Sequence, residues 1–167
     1  MHMLFDSLIQ LSFSYFATIA FGLFINVPRK ALNLSGISGA CGWMTYWFAM
    51  QFNINSIPAN FLGGLAVGLA GLVMSQHKRI PSTIFNIPGL VPLVPGASAY
   101  QALIMLLSGE FMDANEKLFS VLMVGGAITM GYVVSQLISE QYFRYRRNRV
   151  LSKHDLQNLD GDSVKPE

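Results

Sequence analysis

Residues 31–76 read ALNLSGISGACGWMTYWFAMQFNINSIPANFLGGLAVGLAGLVMSQ and contain no Asp, Glu, Lys or Arg. Helices on the surface of a soluble domain need a polar face, so a charge-free run of this length excludes a soluble fold. Residues 7–28, 80–109 and 118–139 are equally free of charge. Charged residues make up only 12% of the chain, and 52% of it is apolar. The sequence therefore predicts an all-α integral membrane protein and no nucleic-acid-binding domain.

The apolar runs are long enough for five membrane crossings. A helix needs about 20 apolar residues to cross a hydrocarbon core of about 30 Å. The long run 31–76 divides in two because Asn, Ser and Pro at 52–58 favour a turn. The predicted membrane domain, 1–141, has spans at about 7–27, 33–52, 57–76, 80–109 and 118–139.

Basic residues indicate which side of the membrane each end of the chain occupies. Five crossings place every Lys and Arg except Lys117 on the side of the C-terminus. Because Lys and Arg are enriched in cytoplasmic segments, we expect the N-terminus outside and the C-terminus inside.

Residues 142–167 are predicted to form a cytoplasmic basic collar followed by a disordered tail. Tyr142 precedes Arg144, Arg146 and Arg147, a composition typical of a membrane-interface anchor. An ordinary stop-transfer flank explains these residues better than a lipid-specific site. After Lys153 too few apolar residues remain to form a fold, which predicts disorder.

Small residues recur along the second, third and fifth predicted spans. Gly64 and Gly68 have the small-xxx-small spacing that lets helix backbones approach closely in lipid. Ordinary helix packing is the favoured interpretation, and a pathway lined by backbone is the alternative.

Residues 81–100 read PSTIFNIPGLVPLVPGASAY and hold four of the chain's seven prolines. Each proline inside a helix removes a backbone donor, clashes with the preceding turn and costs about 3 kcal/mol. Helix is therefore predicted to resume only after Pro95 and Gly96, over about 97–108, a length too short to span a membrane. The fourth span is predicted to be a discontinuous helix, in which an extended or kinked stretch joins a half-helix.

A half-helix that begins at membrane depth directs unpaired N–H groups at the interior, where broken helices of transporters bind anionic substrate groups. Backbone amides after Gly96 and the Ser98 hydroxyl would hold a carboxylate, while Asn86, Tyr100 and Gln101 offer further hydrogen bonds. The predicted substrate pathway comprises Asn86, Pro88, Gly89, Pro92, Pro95, Gly96, Ser98, Tyr100 and Gln101. The alternative is a proline-rich kink that only shapes the bundle.

The sequence offers no catalytic, metal or cofactor site. It lacks a phosphate-binding GxxxxGK[ST] motif, and its three histidines are not at metal-ligand spacing. No carboxylate, His or basic residue lies in the middle of a span, although proton-coupled carriers normally need one. We therefore expect a protein that is not an enzyme and whose coupling residue is supplied by another chain.

The sequences PSTIF at 81–85, IPG at 87–89 and PLVPGASAY at 92–100 resemble the signature of the threonine/serine exporter family. The resemblance is to the C-terminal membrane half, which also exists as a small separate, YjjB-like subunit. It implies export of small carboxylate metabolites, threonine and serine or a succinate-like dicarboxylate, across a bacterial inner membrane.

The same resemblance implies a larger, YjjP-like membrane partner, so that the chain would act in a hetero-oligomer or a higher homo- or hetero-oligomer in the lipid bilayer. A non-transporting accessory subunit that stabilises such a partner is the alternative function.

Overall fold

The computed structural model describes the backbone of residues 2–162 and the side chains of residues 4–141. This part of the chain is helical and has no strand, which confirms the predicted all-α class. The elements are α1 (His2–Phe24), α2 (Arg29–Gln51), α3 (Ser56–Lys78), α4 (Thr83–Gly89), a 3₁₀ turn (Val91–Leu93), α5 (Gly96–Leu107) and α6 (Phe111–Asp162).

Among the described residues, three helices are long and apolar enough to cross a membrane, namely Leu4–Phe24, Ser56–Lys78 and Phe111–Gln141. Thr83–Leu93 and Gly96–Leu107 together make a fourth candidate, bent by 53° at its break. α2 falls outside this set because its Ser, Gly, Thr, Trp and Tyr residues lower its hydropathy. The count of five spans and their orientation stay predictions.

Contacts at glycines show that the helix direction alternates along the chain. Between α1 and α2, and between α2 and α3, the residue numbers of contacting residues increase along one helix and decrease along the other. Between α3 and α6, the residue numbers increase along both helices. The pairs are Gly22–Leu32 and Gly36–Tyr15, then Ser38–Val67 and Gly42–Gly63, and finally Gly64–Ile128 and Gly68–Ser135. α1, α2 and α3 are therefore successively antiparallel, and α6 runs parallel to α3.

Two residues after the last helical residue of α1, α2 and α5, the backbone adopts a positive φ. These residues are Asn26 (60°), Asn53 (56°) and Gly109 (83°). After α1, the Val27 amide donates to the Gly22 carbonyl at 2.8 Å, and the other two helix ends show the same bonding pattern. This is the Schellman arrangement, which satisfies the last carbonyls of a helix and reverses the chain sharply.

The proline-rich segment before the break is helical, so the prediction that helix resumes only at about residue 97 is wrong for α4 and the 3₁₀ turn. Pro88 lies inside α4 and leaves the Ile84 carbonyl without its regular donor. The Ser35 hydroxyl of α2 lies 3.3 Å from that carbonyl and 3.1 Å from the Ala31 carbonyl of its own helix, so the two carbonyls share its hydrogen. Pro92 lies in the first turn of the 3₁₀ helix, where no backbone donor is needed. A contact from a distant helix thus removes part of the penalty that proline imposes.

Replacing Ser35 with alanine should lower the free energy of unfolding by about 1–2 kcal/mol, because the buried Ile84 carbonyl would lose its donor. The midpoint of thermal unfolding in detergent measures the change. Ser12→Ala is the matched control, since the exposed Ser12 hydroxyl bonds only to Leu8 of its own helix. Equal midpoints for the two variants would contradict this role of Ser35.

α6 continues as one helix to Asp162, where the sequence predicted a disordered tail after Lys153. No proline occurs between Pro95 and Pro166 to interrupt this helix. The side chains of the predicted anchor, Tyr142, Arg144, Arg146 and Arg147, lie outside the described residues, as do residues 163–167 entirely. The division of the chain at residue 141 stays a prediction.

Candidate functional site

α4 lies in a groove between α2 and α3. Its residues Phe85, Asn86, Pro88 and Gly89 are all buried. Gly89 is close to Ser38 on one side and to Val67 on the other. α4 thus lies at the centre of the bundle, with little space around its backbone.

The groove becomes narrowest where the 3₁₀ turn follows α4. A Cβ built on Gly42 of α2 or on Gly63 of α3 would stand 3.2 Å from the backbone oxygen of the other. The side chain of Leu93 lies against both glycines. Residues with side chains at positions 42 and 63 would separate α2 from α3, because backbones approach this closely only at small residues.

Asn86 is fully buried, and within the described residues neither Oδ1 nor Nδ2 of its amide has a hydrogen-bond partner. Its amide faces Gly71 of α3, where a Cβ would collide with Oδ1. An unpaired buried polar group costs about 1–3 kcal/mol, and alanine at this position would avoid that cost. Packing alone therefore does not account for an amide here.

Among the described residues, six other buried polar side chains have hydrogen-bond partners, which sets Asn86 apart. Their hydroxyl or amide groups donate to backbone carbonyls, as observed for Ser14, Thr18, Ser35, Ser38, Asn60 and Ser135. Thr18 and Ser135 also lie against glycines, Gly39 and Gly68, as Asn86 lies against Gly71. Asn86 shares their packing but lacks their hydrogen bonds.

The chain leaves the groove at Pro95, whose φ of −76° and ψ of 54° form an inverse γ-turn. The Gly96 amide donates to the Val94 carbonyl at 2.8 Å across this turn. α5 then begins at Gly96, within one residue of the predicted start of the half-helix. The predicted break at Pro95 and Gly96 is confirmed.

The structure brings together only part of the predicted substrate pathway. Asn86, Pro88 and Gly89 lie buried in the groove, and Pro92, Pro95 and Ser98 are half-buried. Gly96, Tyr100 and Gln101 are exposed on the first turns of α5, and no atom lies within 4 Å of a Cβ built on Gly96. This chain therefore does not enclose the amide end of α5 by itself. The assignment of these residues to a pathway stays a prediction.

The predicted packing glycines lie in the interface of α3 with α6. A Cβ on Gly64 would collide with the Ile128 carbonyl oxygen, and one on Gly68 with the Ser135 hydroxyl. Both positions therefore require glycine for close approach of the two helices.

The groove also contains Gly71, Ser35 and Ser38, which were not predicted as site residues. Ser35 and Ser38 are three residues apart and so share one face of α2, and both are fully buried. Hydroxyls repeated at helical spacing inside an apolar span are the signal that would have identified this face.

Ionisable groups are sparse around the groove. No Asp or Glu occurs between Ser7 and Gly109. Within residues 4–141, no group of three or more His, Cys, Asp or Glu side chains is placed to hold a metal ion. Hydroxyl, amide and backbone groups therefore supply the polar chemistry of the groove.

Comparison with known proteins relates this chain to transporters. A family model described as threonine/serine exporter, ThrE, matches residues 10–138. A curated protein of Haemophilus influenzae, described only as uncharacterized, is 25% identical over 131 residues, which are 78% of this chain and 44% of that protein. The chain thus spans less than half the length of this relative. No solved structure matches the chain.

Proposed function

Because the chain belongs to the threonine/serine exporter family, we propose that it is a membrane subunit of a secondary exporter of small carboxylate-bearing metabolites. Threonine and serine, or a succinate-like dicarboxylate, are the substrate classes. The exporter acts in the bacterial inner membrane and is driven by an ion gradient. A larger partner subunit completes it, a proposal supported by the greater length of the relative from Haemophilus influenzae.

The proposal includes five crossings, with the N-terminus outside and the C-terminus inside. It is supported by the alternating helix directions and by the placement of Arg29, Lys30, Lys78 and Arg79 at one end of the bundle. α2 would be the second crossing despite its lower hydropathy, because α1, α3 and α4 cover it and its buried Ser35 and Ser38 donate to backbone carbonyls.

The unpaired amide of Asn86 is the observation that carries the assignment of a transport role to this chain. An intramembrane polar group without a partner marks a substrate or ion pathway more often than it marks packing. Its Nδ2 donates hydrogen bonds to a carboxylate, and its Oδ1 accepts them from an ammonium group. In this mechanism α4 moves away from Gly71 of α3, which opens the groove beside Asn86 to the substrate.

Asn86→Ala should reduce efflux at least about tenfold, the effect of losing one hydrogen bond to a charged group. The unfolding midpoint should change little, because removal of an unpaired amide offsets the lost packing. The measurement is efflux of threonine or succinate from preloaded cells that also hold the partner, together with thermal unfolding of the purified chain.

Asn33→Ala is the matched control for Asn86→Ala, since Asn33 is an exposed asparagine of α2. It should leave efflux and stability unchanged. Normal efflux from Asn86→Ala at normal protein level would refute the role assigned to this amide.

A non-transporting accessory subunit is the second candidate, and the lack of Asp and Glu between Ser7 and Gly109 favours it. In that case the partner contains the whole pathway, and this chain only stabilises it. Reconstitution of the partner alone in liposomes separates the two functions. Full transport without this chain supports the accessory role, and transport that requires this chain supports the exporter subunit.

A further inference from the structure

A cavity of about 220 Å³ lies between α4 and the turn that joins α1 to α2. Its walls include Asn26 and Pro28 of the turn and Thr83, Ile87 and Pro88 of α4. Pockets for drug-sized ligands measure about 300–1,000 Å³, so this cavity suits a smaller molecule. The cavity is separate from the place where the Asn86 amide contacts Gly71 of α3.

Two polar side chains of the cavity wall are available to a ligand. Asn26 adopts φ of 60°, and the Schellman bonds of its turn occupy the neighbouring backbone groups. Its side-chain amide and the Thr83 hydroxyl make no hydrogen bond to any other described residue. The amide and the hydroxyl can both donate to an anion, and apolar side chains form most of the remaining wall.

The charge at this end of the bundle is uniformly positive on α1 to α4. Arg29 and Lys30 directly follow the lining residue Pro28, while Lys78 and Arg79 lie between α3 and the start of α4. All four are exposed. Among the described carboxylates, Glu140 lies towards this end of α6, and α6 packs mainly on α3 and α5.

The positive-inside rule accounts for the sign of these charges, but it does not account for a cavity with two free donors beside them. Clefts that carry one sign of charge concentrate ligands of the opposite sign. An anion with a short apolar body fits both the donors and the apolar wall.

We propose that this cavity is the loading site for the small carboxylate substrate, with Asn26 and Thr83 as hydrogen-bond donors to it. The inference rests on the proposed export function and adds the place where the substrate first binds. Pro88 forms the inner wall of the cavity and is two residues from Asn86. The loading site and the Asn86 contact thus lie on different faces of α4.

The test labels a single cysteine at position 87 with a maleimide, using the full chain with its partner in membrane fragments. Cys41 is replaced by serine in this background, and Ile87→Cys places the thiol in the cavity wall. Succinate or threonine should slow labelling at position 87. Replacing both Arg29 and Arg79 with Gln should raise the metabolite concentration that gives half-protection about tenfold, because the cleft would lose two of the positive charges that concentrate anions.

His77→Cys is the control, because His77 is exposed at the same end of the bundle but does not line the cavity. Protection at position 87 and not at 77 supports the loading site. Equal protection at both positions, no protection by either metabolite, or protection only by phosphatidylglycerol would overturn it. If Ile87→Cys does not fold, Ile25→Cys, which also lines the cavity, replaces it.

Labelling does not depend on transport, so the two proposals fail separately. Efflux without protection at position 87 refutes the loading site and leaves the exporter subunit standing. Protection without any efflux supports binding in the cavity and refutes the export function.

Discussion

Replacing Gly71 with valine is expected to abolish efflux and to lower the free energy of unfolding by about 3 kcal/mol or more, because valine would force α4 out of its packing against α3. A Cβ at this position would occupy the place of the Asn86 amide oxygen. The Asn86 side chain has no free space to turn into, since it is fully buried where α4 faces α3. Thermal unfolding in detergent and efflux from cells that also hold the partner measure the two effects.

The double variant Gly71→Val with Asn86→Ala is the control for this contact. Removing the Asn86 side chain leaves room for valine, so the unfolding midpoint should recover most of its loss. Efflux should stay low, because the amide proposed to bind substrate is gone. A Gly71→Val chain with normal stability and efflux would show that α4 does not pack on α3 in this way.

Replacing Gly131 of α6 with valine should have the second-largest effect, a loss of about 3 kcal/mol or more from the free energy of unfolding. Its Cβ would collide with the Phe61 carbonyl oxygen of α3 and stand 3.0 Å from the Leu65 amide nitrogen. These are backbone atoms of a helix, so they can give way only if α3 and α6 separate. The unfolding midpoint in detergent and the yield of folded chain measure the effect.

Gly126→Val is the matched control on the same helix. No atom lies within 4 Å of a Cβ built on Gly126, and valine forms helix more readily than glycine. Its stability should therefore stay within about 0.5 kcal/mol of the parent chain. Comparable destabilisation by both substitutions would contradict the close contact of α3 with α6.

The break in the fourth span could be predicted closely. Pro95 and Gly96 were expected to end one segment and begin another, and α5 starts at Gly96. A proline followed by glycine acts through its own backbone geometry, which does not depend on distant residues. The turn expected at 52–58 also depends on local residues, and it falls where α2 ends at Gln51 and α3 begins at Ser56.

The candidate site could be predicted only in part. Asn86 was named from its position beside the prolines, but nothing in its neighbourhood along the chain indicates that its amide is unpaired. That property depends on Gly71, which α3 places against it. Conversely, Tyr100 and Gln101 were grouped with Asn86 by proximity in sequence, and the turn at Pro95 carries them to the outer surface of α5.

By itself, the sequence determined that this protein is helical, that it has the composition of a membrane protein and where its proline-rich helix breaks. Hydropathy, charge and proline geometry are properties of short segments, so no fold is needed to read them. Only the tertiary structure decided that residues 83–89 are helical, because the donor for the Ile84 carbonyl comes from Ser35 on another helix. It also decided which glycines permit close contact and which face open space, since a missing side chain has meaning only in relation to the atom that approaches it.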